Sequence, residues 1–102
     1  MKTHNKLVRD LIPAIIQRSG KTAVTRILSS EEYITALHRK LDEEAAELHE
    51  SGSLEEMADV LEVLLAICAA AGHTREELES VRAAKAAERG GFRERIFLEE
   101  VQ

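Results

Sequence analysis

The stretch that most constrains this chain runs from Lys40 to Glu62, KLDEEAAELHESGSLEEMADVLE. It holds nine acids, Asp42, Glu43, Glu44, Glu47, Glu50, Glu55, Glu56, Asp59 and Glu62, and Lys40 is its only Lys or Arg. Glu44 with Glu47, and Glu56 with Asp59, are spaced i, i+3. On a helix each pair makes one patch, with Cβ atoms roughly 5–6 Å apart. Ser51-Gly52-Ser53 between them reads as a helix stop followed by a helix start. Helices joined this closely run antiparallel, which predicts that the two patches face each other. Two carboxylates ~4 Å apart repel by about 4 kcal/mol at an effective dielectric of 20. A hard cation such as Mg²⁺ reverses that sign. The alternative is that these are solvated faces of two acidic helices, and spacing alone slightly favours it.

Charge is distributed unevenly. Residues 1–39 carry seven Lys/Arg against three acids, residues 40–62 one against nine, and residues 63–102 six against seven. An acidic centre between basic flanks suits a metal and the phosphates it binds, and equally suits salt bridges between helices. The net charge of −5 argues against non-specific nucleic-acid binding. At 102 residues, the chain reads as a single domain, 1–102, with a modest core. Its 44% hydrophobic but only 3% aromatic residues leave Leu, Ile, Val and Ala to build that core. The lone cysteine, Cys68, sits in an apolar run and reads as a small core residue, which points to a reducing cytoplasm. Asp10 and Pro13 interrupt any signal-peptide core, and the apolar run 60–71 is too short to span a bilayer.

In chain order, Asp10 to Arg18 predicts a short helix with Pro13 in its first turn, ended by Gly20. AVTRIL (23–28) is β-prone. Ser29 with Glu32, Ser53 with Glu56, and Thr74 with Glu77 have capping-box spacing and open three further helices. For Glu56, capping competes with a ligand role. Ile34, Leu37, Leu41, Ala45 and Leu48 form one apolar stripe, and Glu44 falls at its edge. The third helix is apolar around most of its circumference, which predicts burial by more than one neighbour and hence an oligomer. An acid kept on such a helix needs a partner, which favours a metal for Asp59. The fourth helix, with Leu78, Val81 and Ala84 inward, runs to about Arg89 and ends at Gly90-Gly91. RIFLEEV in the tail is β-prone and offers a two-stranded ribbon with AVTRIL. The expected architecture is all-α and four-helix bundle-like, with that optional ribbon.

Three chemistries compete. A carboxylate-bridged iron site needs Glu-x-x-His pairs. His4, His38, His49 and His73 are preceded at that spacing by Met1, Thr35, Ala46 and Ala70, which excludes it. An all-oxygen Mg²⁺ site fits carboxylates without His or Cys, and commonly bridges to substrate phosphates. The third is a non-enzymatic helical module binding a nucleotide or a protein, with the acidic patch as its surface.

The pattern Glu43-Glu44-Ala45-Ala46-Glu47, then Glu56-Met57-Ala58-Asp59-Val60, resembles the MazG-like all-α nucleoside triphosphate pyrophosphohydrolases. Asn5-Lys6-Leu7-Val8-Arg9-Asp10 with Ile12-Pro13 is similar to the opening of a short, phosphoribosyl-ATP pyrophosphohydrolase-like subfamily. Glu88-Arg89-Gly90-Gly91-Phe92 with Arg95-Ile96 resembles its C-terminal end. The resemblance implies a homodimer or homotetramer that hydrolyses a nucleotide polyphosphate to monophosphate and pyrophosphate with Mg²⁺, or Mn²⁺ as a substitute. By position it implies Glu44, Glu47, Glu56 and Asp59 as metal ligands, and Glu43 as the residue that orients or deprotonates the attacking water. Lys6, Arg9, Lys85 and Arg89 are the candidate phosphate contacts, and each taken singly reads equally as a surface charge. Lys40 reads as an i, i+4 ion pair. Tyr33 and Phe92 are the aromatic residues with which to stack a base, and neither selects one. The expected function is a house-cleaning nucleotide pyrophosphohydrolase, with phosphoribosyl-ATP hydrolysis in histidine biosynthesis or the inert module as alternatives.

Overall fold

Local hydrogen bonding sets the helix boundaries. The computed structural model describes residues 2–102 and contains α1 (Ile12–Arg18), α2 (Ser30–Ser51), α3 (Leu54–Ala70) and α4 (Arg75–Arg89). At α2, the Ser29 hydroxyl accepts from Glu32 N–H at 3.2 Å, and the Glu32 carboxylate accepts from Ser29 N–H at 3.1 Å. Thr74 and Glu77 form the same reciprocal pair at α4, both bonds 3.1 Å. Each box satisfies two backbone donors that a helix start leaves open. The Arg26 guanidinium grips Glu32 as well, at 3.0 and 3.3 Å, and with the Ser29 bonds it holds that carboxyl down at about 2. Pro13 sits in the first turn of α1, where its missing N–H breaks no bond. α2 stops at Gly52, whose φ of 62° is left-handed and whose N–H donates to Leu48 O at 2.7 Å.

α2 and α3 form a hairpin across Gly52-Ser53, and α4 packs on α3 alone. Among the described residues α1 packs on none of the other helices. Leu37 and Val63 are the buried apolar residues, and the other buried side chain is Glu44. Leu41, Ala45 and Leu48 of the α2 stripe are half-buried, while Ile34 is exposed. The core is therefore a thin seam between two helices, with a carboxylate in it.

Two expectations are corrected. No strand occurs among the described residues, so AVTRIL and the tail form no ribbon. Both runs are largely exposed, with Val24 and Ile27 96% exposed and Phe97 86% exposed. A two-stranded ribbon without helical support is at best marginal. On α4, Leu78 is half-buried, but Val81 and Ala84 are exposed because only α3 lies beside that helix.

The molecule measures 60 × 31 × 24 Å, with a radius of gyration of 17.9 Å. A compact chain of this length has about 13 Å. It exposes 9393 Å², where a compact monomer of its mass exposes about 5,800 Å². Among the described residues no helix is long and apolar enough to cross a membrane.

Gly52 and Gly91 test the helix stop. A Cβ meets nothing within 4 Å at either position, but only Gly52 has a left-handed φ. Gly52→Ala should destabilise the protein by about 1 kcal/mol, and Gly91→Ala should leave it unchanged, both measured by urea unfolding.

Candidate metal centre

Glu44 reaches the seam from α2, and Glu56 and Asp59 reach it from the first two turns of α3. Each contributes one carboxylate oxygen to a group whose members all lie within 4.8 Å of one another. The i, i+3 spacing puts Glu56 and Asp59 on one face, and the hairpin brings Glu44 opposite. Glu47 stands beside Glu44 and Glu56. Its carboxyl is raised above its ordinary value, chiefly by hydrogen bonding with Glu44 and then by repulsion between the two charges. Three of the four acids singled out in the sequence thus converge, and Glu47 lies beside that triad but outside it.

Glu56 is available because its cap is only half closed. The Ser53 hydroxyl accepts from Glu56 N–H at 3.2 Å. Ser53 N–H, which the Glu56 carboxylate would take in a full capping box, donates instead to the Ser51 hydroxyl at 3.2 Å. The carboxylate is therefore left to the cluster. Enclosure pushes its carboxyl up to about 6, aided by the charges of Glu47 and Asp59.

Two oxygens of this cluster, Glu44 Oε2 and Glu56 Oε2, are buried without a hydrogen-bond partner. Glu44 as a whole is only 7% exposed. Enclosed carboxylate oxygens without a donor are costly, and either a proton or a cation relieves them. The donor set is all oxygen, and the acids around it include no His or Cys. That chemistry fits a hard divalent ion such as Mg²⁺ and gives no preference to soft metals.

Three cations ring the acids. Lys40 Nζ lies 3.3 Å from Glu44 Oε1 and 3.5 Å from Glu43 Oε1, with its side chain only 16% exposed. Lys6 Nζ lies 3.6 Å from Glu43 Oε1. Arg9 Nη2 donates to Asp59 Oδ1 at 2.6 Å. The expected ion pair of Lys40 is present and largely enclosed, which helical spacing alone does not indicate. Glu43 lies outside the triad, between Lys6 and Lys40. Lys85 and Arg89 are exposed on α4 and pair with none of these acids among the described residues. Nothing local in the sequence signals the bond between Arg9 and Asp59, since 50 positions separate them.

The raised carboxyls set a pH dependence. Folded Glu56 holds its proton up to about 6, whereas an unfolded Glu releases it near ~4.3. Between those values the native state binds more protons, so its stability falls as pH rises. Glu47 acts in the same direction. The lowered carboxyls of Glu32, Glu77 and Glu79 act below that window with the opposite sign. In EDTA, the thermal midpoint should therefore decline from pH 4.5 toward 6.5, and Glu56→Gln should flatten the decline. A midpoint that rises across this range would contradict the enclosure of Glu56.

No family model matches the chain, and no solved structure matches it. It is similar to an uncharacterized protein of Mycolicibacterium smegmatis, 60% identical over 43 residues, which are 42% of this chain and 44% of that protein. The chain thus spans less than half the length of that relative.

Proposed function

We propose that this chain is a Mg²⁺-dependent nucleotide pyrophosphohydrolase of the MazG-like, house-cleaning kind. The observation that carries this reading is the pair of enclosed, partnerless oxygens, Glu44 Oε2 and Glu56 Oε2, in a cluster with Asp59 and Glu47. Those four acids would hold the ion. When bound, Mg²⁺ supplies a Lewis acid that polarises a phosphoryl oxygen and favours deprotonation of water. Glu43, at the rim, orients or deprotonates the water that attacks a phosphorus of the polyphosphate, taken as Pα. Lys6 and Arg9 lie where they can neutralise phosphate charge. Mn²⁺ is an acceptable substitute by the same oxygen chemistry. The similarity of residues 5–13 and 88–96 to the shorter subfamily favours phosphoribosyl-ATP as the second substrate to test. A reducing cytoplasm suits the half-buried, free thiol of Cys68.

The working form is an oligomer of this chain, a dimer or tetramer. Its support is the excess of exposed surface, about 3,600 Å² above a compact monomer. Obligate dimers bury roughly 2,000–5,000 Å² in total. Leu61 and Leu64 of α3 are 46% and 39% exposed beside Leu78 of α4. A second copy over this groove would complete a four-helix arrangement that the α2–α3 hairpin begins. It would also provide the route by which Lys85 and Arg89 reach a neighbouring site.

The test is pyrophosphate release from NTPs, dNTPs and phosphoribosyl-ATP, with Mg²⁺ and with EDTA. Release should need Mg²⁺, and Asp59→Asn should lower it at least about 100-fold while far-UV circular dichroism stays unchanged. Absence of release from every substrate would leave the helical binding module as the better description. By sedimentation the protein should exceed its 11.4 kDa chain mass, and Leu64→Asp should drive it toward the monomer.

A further inference from the structure

We infer that Arg9 is a shared counter-ion, pairing with Asp59 when no metal is bound and passing to a phosphate oxygen once a divalent cation takes that carboxylate. This rests on the metal site proposed above, and it assigns that site a coupling between cation and anion.

Four observations carry it. First, Arg9 belongs to no helix. It precedes α1 on a segment without regular hydrogen bonding, so moving its side chain breaks no helical structure. Second, the segment lies across the α2–α3 seam. Lys6 reaches Glu43 of α2 at 3.6 Å, and Arg9 reaches Asp59 of α3 at 2.6 Å. Third, Asp59 is the one side-chain partner of Arg9 among the described residues, and the Arg9 side chain is 55% exposed. A guanidinium has five N–H donors, and here a single Nη2 contact occupies it, leaving donors for a phosphate in its fork geometry. Fourth, the bond falls on a member of the triad whose oxygens converge within 4.8 Å. An ion held by those oxygens and the Arg9 charge compete for the same carboxylate.

Without a metal the charges of the cluster do not balance. Glu43, Glu44, Glu47, Glu56 and Asp59 face Lys6, Arg9 and Lys40, so fully ionised acids exceed the cations by two charges. One divalent cation cancels that excess. The ion takes the Asp59 carboxylate that Arg9 holds, and Arg9 pairs with no other carboxylate among the described residues. A phosphate brought to the ion is the partner whose charge and shape it fits. Lys40 differs: it is 16% exposed, lies within α2 and is held by two acids, so it stays in place. Arg9 thus opposes metal binding in the absence of phosphate and favours phosphate binding in the presence of metal. Cation and anion then bind with positive cooperativity through one side chain.

The test uses the full chain and two titrations by calorimetry. Arg9→Gln should bind Mn²⁺ about tenfold more tightly than the unaltered protein when no phosphate is present. At saturating Mg²⁺, the same variant should bind magnesium pyrophosphate about tenfold more weakly. Arg9→Lys, which keeps the charge but loses the fork, should retain the ordinary Mn²⁺ affinity and fall between the two for pyrophosphate. Arg18→Gln, on α1 and without an ion pair among the described residues, should match the unaltered protein in both. If Arg9→Gln binds Mn²⁺ no more tightly, the inference fails while the metal site stands. If pyrophosphate affinity does not fall, Arg9 does not pass to phosphate. If the unaltered protein binds no divalent cation, the proposed function fails and takes this inference with it. Should Arg9→Gln misfold, the guanidinium Nε–H resonance of Arg9 in the unaltered protein decides. It should shift when Mg²⁺ saturates the site, and a resonance that stays in place overturns the inference.

Discussion

The structure turns on a carboxylate buried in an apolar seam. Glu44 lies between α2 and α3 with 7% of its surface exposed, in a core whose other buried members are Leu37 and Val63. Lys40 offsets one of its oxygens from the same helix at 3.3 Å and leaves the other without a donor. Apolar burial that draws the two helices together also drives Glu44 and Glu47 of α2 against Glu56 and Asp59 of α3. Hydrophobic contact and like-charge repulsion therefore oppose each other in one interface. Such an arrangement is most favourable when a counter-charge occupies it, which is the physical basis for the metal reading.

A small change in capping separates structural from site acids. Glu32, Glu56 and Glu77 each follow a Ser or Thr by three positions at a helix start. Glu32 and Glu77 return their carboxylates to the backbone and close their caps. Glu56 does not, because the Ser51 hydroxyl has already taken the N–H it would use. Residues that look alike in the sequence thus do different work. The chemistry available at the cluster depends on one competing hydroxyl in the α2–α3 connection.

The thin seam also explains the shape. A two-helix interface with α4 on one side cannot cover an α3 that is apolar around most of its circumference. Leu61 and Leu64, the tail and residues 24–27 remain exposed in the single chain. The proposed assembly of copies accounts for this surface. It would also explain why the basic end of α4, with Lys85 and Arg89, lies apart from the acids of its own chain.

Much of the helical framework was legible without coordinates, because helix starts and stops are decided within about four residues. Ser29 with Glu32, Thr74 with Glu77, Pro13 and Gly52 all behave as their local chemistry dictates. The i, i+3 acid pairs and the Lys40 contact followed from helical geometry in the same way. Tertiary structure alone decided which charges meet. It brought Arg9 to Asp59 across 50 positions and, among the described residues, left Lys85 and Arg89 unpaired with the cluster and the two β-prone runs without strand pairing. Helical spacing fixes which residues share a face, but the partner of that face depends on how the helices pack, and no local pattern encodes it.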